Sequence, residues 1–311
     1  MTATQIQPKS ELISSLINGI LAIKPLANLA KHQAREMMIK RAEKLGVPWR
    51  ENVQKLRSHD WEKERLAIEN PQVTYPDYYV RSFHGYEMGD LCWEAALEFE
   101  SAAYTVHSTI WQKTDGISIK GDSRLRQNYH QVLLEQLSIQ PKDILDVGCS
   151  IGMSTFAIAQ AYPQAQITGI DLSPYFLAVA NYRSQTQNIP INWVHTAAEA
   201  TGLPDNSFDL VSAFLIFHEL PQKAAKEIFR EARRLLRKGG YFAMMDMNPD
   251  SQAYKTMPPY VFTLLKSTEP HLDEYFTLDV QTALIEAGFH SPTITPISPR
   301  HRTIIAQKLE N

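Results

Sequence analysis

Ile144-Leu145-Asp146-Val147-Gly148-Cys149-Ser150-Ile151-Gly152 joins an apolar run ending in an acid to a loop of small residues, and a helical stretch follows. The run has the length and composition of a buried strand. Glycines in such a loop let the backbone approach a ligand that a Cβ would exclude, and the helix N-terminus adds free N–H donors. A tight turn between strand and helix would also account for them. The dinucleotide fingerprint needs glycine at three places, which here hold Gly148, Ser150 and Met153, so it fails. The phosphate-binding P-loop fails as well, because no Gly-Lys-Ser/Thr follows.

Outward from this stretch, strands and helices alternate. Asp143–Gly148 reads as a strand and Ser154–Ala161 as a helix, then Gln166–Asp171 as a strand and Pro174–Ser184 as a helix. Ile191–His195 and Phe208–Phe217 are further strands, and a charged helix over Gln222–Leu236 leads through Gly239-Gly240 to a fifth, Tyr241–Asp246. A helical insert at 253–266 and a helix at 278–287 precede two last runs, Thr293–Ile297 and Thr303–Gln307, which suit an antiparallel hairpin. Strands separated by helices of 10–15 residues imply parallel βαβ units. The expected fold is therefore α/β: a doubly wound, mostly parallel seven-stranded sheet with an antiparallel C-terminal edge hairpin and a helical N-terminal extension.

The grammar changes near residue 120, which divides the chain into a helical cap (1–120) and a sheet domain (121–311). In the cap, Leu12, Ile13, Leu16, Ile17, Ile20 and Leu21 share one helical face, broken by Pro25. A second helix carries Leu26, Leu29, Ala34, Met37, Met38 and Leu45 and stops at Gly46-Val47-Pro48. Residues 1–50 hold eight Lys/Arg against three Glu. Residues 10–45 could thus rest on an anionic membrane, or simply pack as amphipathic helices on the main domain. Residues 71–111 read as ring-rich helix, with Tyr75, Tyr78, Tyr79, Phe83, Tyr86, Trp93, Phe99, Tyr104 and Trp111. Most should be core, and two or three could line an apolar pocket whose ligand their polar tips orient.

Composition narrows the class. At roughly 150 residues per domain, 311 residues make one large domain or two small ones, enough to bury a core without disulfide or metal staples. A net charge of −3 and a pI of about 6.4 argue against a nucleic-acid partner. Cys92 and Cys149 are the only cysteines and have no CxxC spacing, so no disulfide framework or zinc site is expected and a reducing compartment fits. No apolar run approaches the roughly 20 residues that cross a bilayer. No secretory signal stands at the N-terminus, so the expected location is cytoplasmic.

Four stretches, in order and in register, resemble the motifs of class I S-adenosylmethionine-dependent methyltransferases. Asp146 to Gly152 resembles the first motif, D/E-x-G-x-G-x-G, with Ser150 at the middle glycine. Ile167–Ser173 resembles the second-strand motif, its terminal acid Asp171 lying 25 residues beyond Asp146. Ala198-Glu199 with Leu203–Asp209 resembles the entry to strand four, and Leu235–Tyr241 the turn into strand five. The resemblance covers about 120–308 and is similar to the quinone-biosynthesis-like, type 11 branch. It implies S-adenosylmethionine as cofactor. Asp171 would accept hydrogen bonds from the ribose hydroxyls, Asp146 would meet the methionine ammonium, and Gly148, Ser150 and Gly152 would leave room. Leu172 would pack on adenine, backbone groups of Ala198 and Glu199 would serve its edge, and Tyr129 would reach the cofactor. The acid that the family often places before Ala-Glu is replaced by Ala197.

Methyl transfer is an in-line displacement that needs alignment, with a base only where the acceptor holds a proton. The site should lie beyond the carboxyl ends of the strands. His218 and Glu219, leaving strand four, offer a base and a carboxylate, although His218 could equally close the strand. His271 and Tyr275, in an insert that such folds place over the acceptor, are the second catalytic pair of candidates. No metal is expected, because His218-Glu219 has no second histidine at helical spacing. The function expected is methyl transfer to the N, O or C atom of a small aromatic or lipophilic molecule. The alternatives are a non-catalytic regulator that binds the same cofactor and a membrane-docked methyltransferase of a lipid-soluble quinone.

Overall fold

The computed structural model describes residues 24–82 and 84–310. The first expected helix (12–21) and Phe83 lie outside the described residues, as do residues 10–23 of the stretch that the membrane reading needs.

One seven-stranded sheet, in the order β3-β2-β1-β4-β5-β7-β6, organises the chain. Its strands are β1 (Asp143–Val147), β2 (Gln166–Asp171), β3 (Asn192–His195), β4 (Phe208–Phe214), β5 (Leu236–Met247), β6 (Thr293–Pro296) and β7 (His301–Gln307). The pairs among β1 to β5 are parallel, and β7 runs antiparallel to both β5 and β6. The central strands β1 and β4 and the second half of β5 are buried on both faces because helices cover both. In β5, Phe242 and Met244 enter one core while Ala243 and Met245 enter the other, and Ile144 and Leu145 divide in the same way in β1.

The helix before β1, Gly121–Gln136, and the one after it, Met153–Ala161, cover the face that holds Ile144. Gln222–Leu235 and Val280–Glu286 cover the other. Local chemistry sets their ends: for Pro174–Gln187, Ser173 Oγ accepts from the Phe176 amide at 3.2 Å, and Asn188 closes the last turn at φ +52°. Four rings pin the second core. Phe217 stacks on Phe229 at 4.9 Å, and Phe242 lies 5.4 Å from Phe229 and 5.9 Å from Phe289.

The cap is helical only in part. We number its helices α1 (Lys24–Lys44), α2 (Trp49–Arg57), α3 (Trp61–Ile68) and α4 (Trp93–His107). α1 ends at the Gly46-Val47-Pro48 break, but its inward face differs from the sequence reading. Ile39 and Ala42 are buried, while Met37 is 66% exposed. Buried Glu98 on α4 ties the helices together, accepting from Arg35 Nε at 3.0 Å and from the Tyr86 hydroxyl at 2.9 Å. The helix expected through 71–92 does not form: Glu69 to Ser82 and His84 to Cys92 run as turns and extended chain. This strap crosses the carboxyl rim of the sheet. It is held by Asn70 N–H donating to His195 Nδ1 at 2.9 Å and by Ser173 Oγ donating to the Asp90 carbonyl at 2.7 Å.

Phe242 is 0% exposed and touches three rings of its cluster. Phe242→Ala should therefore cost about 3–5 kcal/mol in urea-induced unfolding. A loss below about 1 kcal/mol would contradict the packing described.

Candidate active site

Three strands end in buried acids: Asp146 on β1, Asp171 on β2 and Asp246 on β5. Among the described residues none is paired with Lys or Arg. Asp146 Oδ2 accepts from Ser154 Oγ and Thr155 Oγ1, both at 2.7 Å, whereas its Oδ1 is buried without a partner. Burial pushes its carboxyl up to about 6. Asp171 accepts from the Ser150 amide and from the Ser173 amide, each at 2.8 Å, and burial pushes it up to about 7. Ser150 makes its bond from a left-handed backbone at φ +50°, the conformation that a glycine at this position would adopt freely.

The glycines serve packing more than the sequence reading implied. A Cβ on Gly148 would lie 2.6 Å from Ile216 Cγ2, and one on Gly152 would lie 2.8 Å from the Trp193 ring. Ile216 follows Leu215, which stands at φ +60° and turns the chain sharply at the end of β4. The Leu215 amide donates to the Met245 carbonyl at 2.8 Å and the Phe217 amide to Asp246 Oδ2 at 2.8 Å, which hold this turn. His218 therefore sits against Asp246, donating from Nδ1 to Oδ1 at 2.8 Å. Its Nε2 is 3.9 Å from Glu219 Oε1, beyond hydrogen-bond reach. Burial opposes charge on the ring, but Asp246 outweighs it, with Glu269 and Glu219 adding, and the imidazole is pushed up to about 9. Loss of hydration and the nearby Glu269 and Asp90 also push Glu219 up, against the pull of His84 and His218.

The strap closes over this rim. The Tyr78 hydroxyl donates to Glu199 Oε1, leaving Glu199 Oε2 buried without a partner. Tyr79 stacks on Tyr75 at 6.1 Å, and its hydroxyl is held well above the usual range, first by burial and then by the negative charges of Asp171, Asp90 and Glu219. His195 accepts from Asn70 and donates from Nε2 to the Leu172 carbonyl at 2.9 Å, which makes it a neutral anchor of the strap. Ala198 packs against the core beside this rim.

The remaining candidates fall elsewhere. Tyr275 is 1% exposed, and its hydroxyl donates to the Met247 carbonyl at 2.7 Å, so it buttresses His218 from 6.5 Å between rings. Tyr129 is buried in the core below Asp146, with its hydroxyl against Ser212 Oγ at 2.9 Å. His271 pairs with Glu274 at 3.0 Å and meets the Tyr78 ring edge-on at 6.2 Å. The reading from sequence missed Asp246, Tyr78 as a partner of Glu199, and the strap residue His84. An acid ending the apolar run Met244-Met245-Asp246 was a legible signal for the first; the others have none.

Residues 144–240 match the family described as a methyltransferase domain. An uncharacterized methyltransferase of Synechocystis is 30% identical over 56% of this chain and 77% of its own length. The chain belongs to the class I S-adenosylmethionine-dependent methyltransferases. A ubiquinone biosynthesis O-methyltransferase of Stutzerimonas stutzeri is 30% identical over 42% of the chain, which spans 56% of that relative. In fold, the chain is similar to a candidate O-methyltransferase of Nostoc punctiforme, with a TM-score of 0.52 at 21% identity, over 67% of this chain and 60% of that one.

The unpartnered Asp146 Oδ1, the carboxylate of Asp171 and the acid-rich rim fit a cofactor that carries a sulfonium and an ammonium. Binding to this methyltransferase should be pH-dependent. Ribose hydroxyls would donate to an ionised Asp171, which burial pushes up to about 7 in the free protein. Affinity for S-adenosylmethionine in calorimetric titration should therefore fall roughly tenfold from pH 8 to pH 6. Asp171→Asn should weaken binding at pH 8 at least tenfold, or about 1.4 kcal/mol, and flatten the profile. Equal affinity at both pH values in the wild type would contradict this role.

Proposed function

We propose that this methyltransferase moves the methyl group to a small aromatic or lipophilic acceptor held between the strap and the carboxyl rim of the sheet. Residues 1–120 would act as the covering region, with Asp146, Ser150, Asp171, Leu172 and Glu199 on the cofactor side. The carrying observation is the placement of Tyr78 and Tyr79 across the rim, beside Glu199 and Asp171, next to a histidine that a buried carboxylate orients. A rim that rings and a strap cover suits a small molecule; a protein substrate would need an open face.

S-adenosylmethionine, when bound, supplies a methyl group activated by the sulfonium. The chain must then align a nucleophile and dispose of its proton. Asp246 fixes the His218 ring through Nδ1–H, and Nε2 can take a proton from the acceptor only once it has shed its own, which the raised imidazole does at about pH 9. That arrangement favours an O–H or N–H acceptor over one whose nucleophile bears no proton. The ubiquinone-biosynthesis relative, by its name an O-methyltransferase, supports oxygen. Glu219, His271 and Tyr275 would shape the acceptor side rather than carry protons.

Radiolabelled S-adenosylmethionine offered with phenols, quinols and indoles should yield a small methylated product. His218→Ala should lower kcat by about 10²–10³-fold while cofactor affinity stays within about twofold. Asp246→Asn should lower kcat with little change in KM, as expected for a positioning residue. Label incorporated into intact protein alone, with no small-molecule product, would overturn the proposal.

A further inference from the structure

Beside the His218–Asp246 pair lies a second convergence of donors that the methyl-transfer reading leaves unused. His84 comes from the strap, Glu219 from the turn after β4, and Glu269 from the segment ahead of the helix Leu272–Thr277. His84 Nε2 stands 3.1 Å from Glu269 Oε1 and 3.5 Å from Glu219 Oε1, and one donor atom from each residue lies within 4.8 Å of the others. Donors bound to a common divalent cation at about 2.0–2.2 Å lie roughly 3–3.5 Å from one another, so small side-chain adjustments would close these three around an ion.

A second, independent observation points to a ligand. Glu269 is 7% exposed, yet its Oε2 is buried without any hydrogen-bond partner. A buried carboxylate oxygen with an unmet lone pair is costly, and a cation would satisfy it. The location permits exchange with solvent, since 32% of the His84 side chain and 26% of the Glu219 side chain remain exposed. No Lys or Arg is paired with either Glu among the described residues.

We propose that His84, Glu219 and Glu269 form a divalent-cation site where the strap meets the turn after β4. One imidazole nitrogen and two carboxylates make a mixed donor set that suits Mn²⁺, Fe²⁺ or Zn²⁺. Three protein ligands leave positions open for water or for an acceptor oxygen. Because Glu219 Oε1 is 3.9 Å from His218 Nε2, a bound ion would stand next to the proton-accepting nitrogen. An ion there lowers the pKa of an oxygen that binds it, which selects hydroxyl-bearing acceptors. This last step rests on the proposed function; the ion site itself does not.

The test titrates the full chain, freed of metal by chelation, with Mn²⁺ and with Zn²⁺, in the absence of cofactor and acceptor. One ion per chain should bind with micromolar affinity, weakened at least tenfold by Glu269→Gln and by His84→Ala, with circular dichroism showing that both variants are folded. Pulsed electron paramagnetic resonance of Mn²⁺ on the wild type should show coupling to one imidazole nitrogen, which needs no variant. Absence of stoichiometric binding to folded wild type, absence of nitrogen coupling, or binding unaltered in both variants overturns the site. A failure to methylate any acceptor, with the ion still bound by these residues, would count against the proposed function and leave the site standing.

Discussion

Burying acids without lysine or arginine partners is the constraint on which this structure turns. Asp146, Asp171 and Asp246 end three strands of one sheet on the same rim, and a charge taken out of water must be met by donors close at hand. The chain meets each of them locally. Hydroxyls from the helix after β1 serve Asp146, amides of the flanking loops serve Asp171, and amides of the β4 turn together with an imidazole serve Asp246. Those demands shape the loops themselves. Ser150 takes a left-handed backbone to deliver its amide, and the turn at Leu215 brings Phe217 and His218 to Asp246. The rim is thereby negative and preorganised, suited to a cationic cofactor.

The strap completes what the sheet begins. Asn70, Tyr78 and Asp90 lie on a segment without helix, and each contacts a different loop of the rim, through His195, Glu199 and Ser173. Its anchoring relies on side-chain and backbone hydrogen bonds rather than on a continuous apolar face. Helices α1 to α4 supply the apolar support behind it, with Trp61 packed 5.2 Å from Tyr182 on the sheet domain. Cap and sheet therefore meet along this rim.

Much of the fold was legible because its signals are local. Apolar runs bounded by glycine and acid located β1, β2 and β5, and Ser173-Pro174 announced a helix start that the structure confirms. Asp146 and Asp171 stood out through the resemblance of their stretches to the methyltransferase motifs. The misreadings share a physical cause. The stretch 71–92 is rich in rings, and ring content does not distinguish a packed helix from a strap that lies over a rim. The end of β4 was extended to Phe217 because Leu215, Ile216 and Phe217 are apolar, whereas Asp246, on another strand, draws the chain out of the sheet at Leu215.

The sequence by itself determined the order of strands and helices and the parallel sheet, since these follow from periodicity, and its resemblance to the methyltransferase motifs supplied the cofactor class. Tertiary structure alone decided which histidine is oriented, that Tyr78 meets Glu199, and that His84, Glu219 and Glu269 converge. Those relations join segments far apart in the chain, and no local pattern encodes a distance that only the packing of sheet, turn and strap creates.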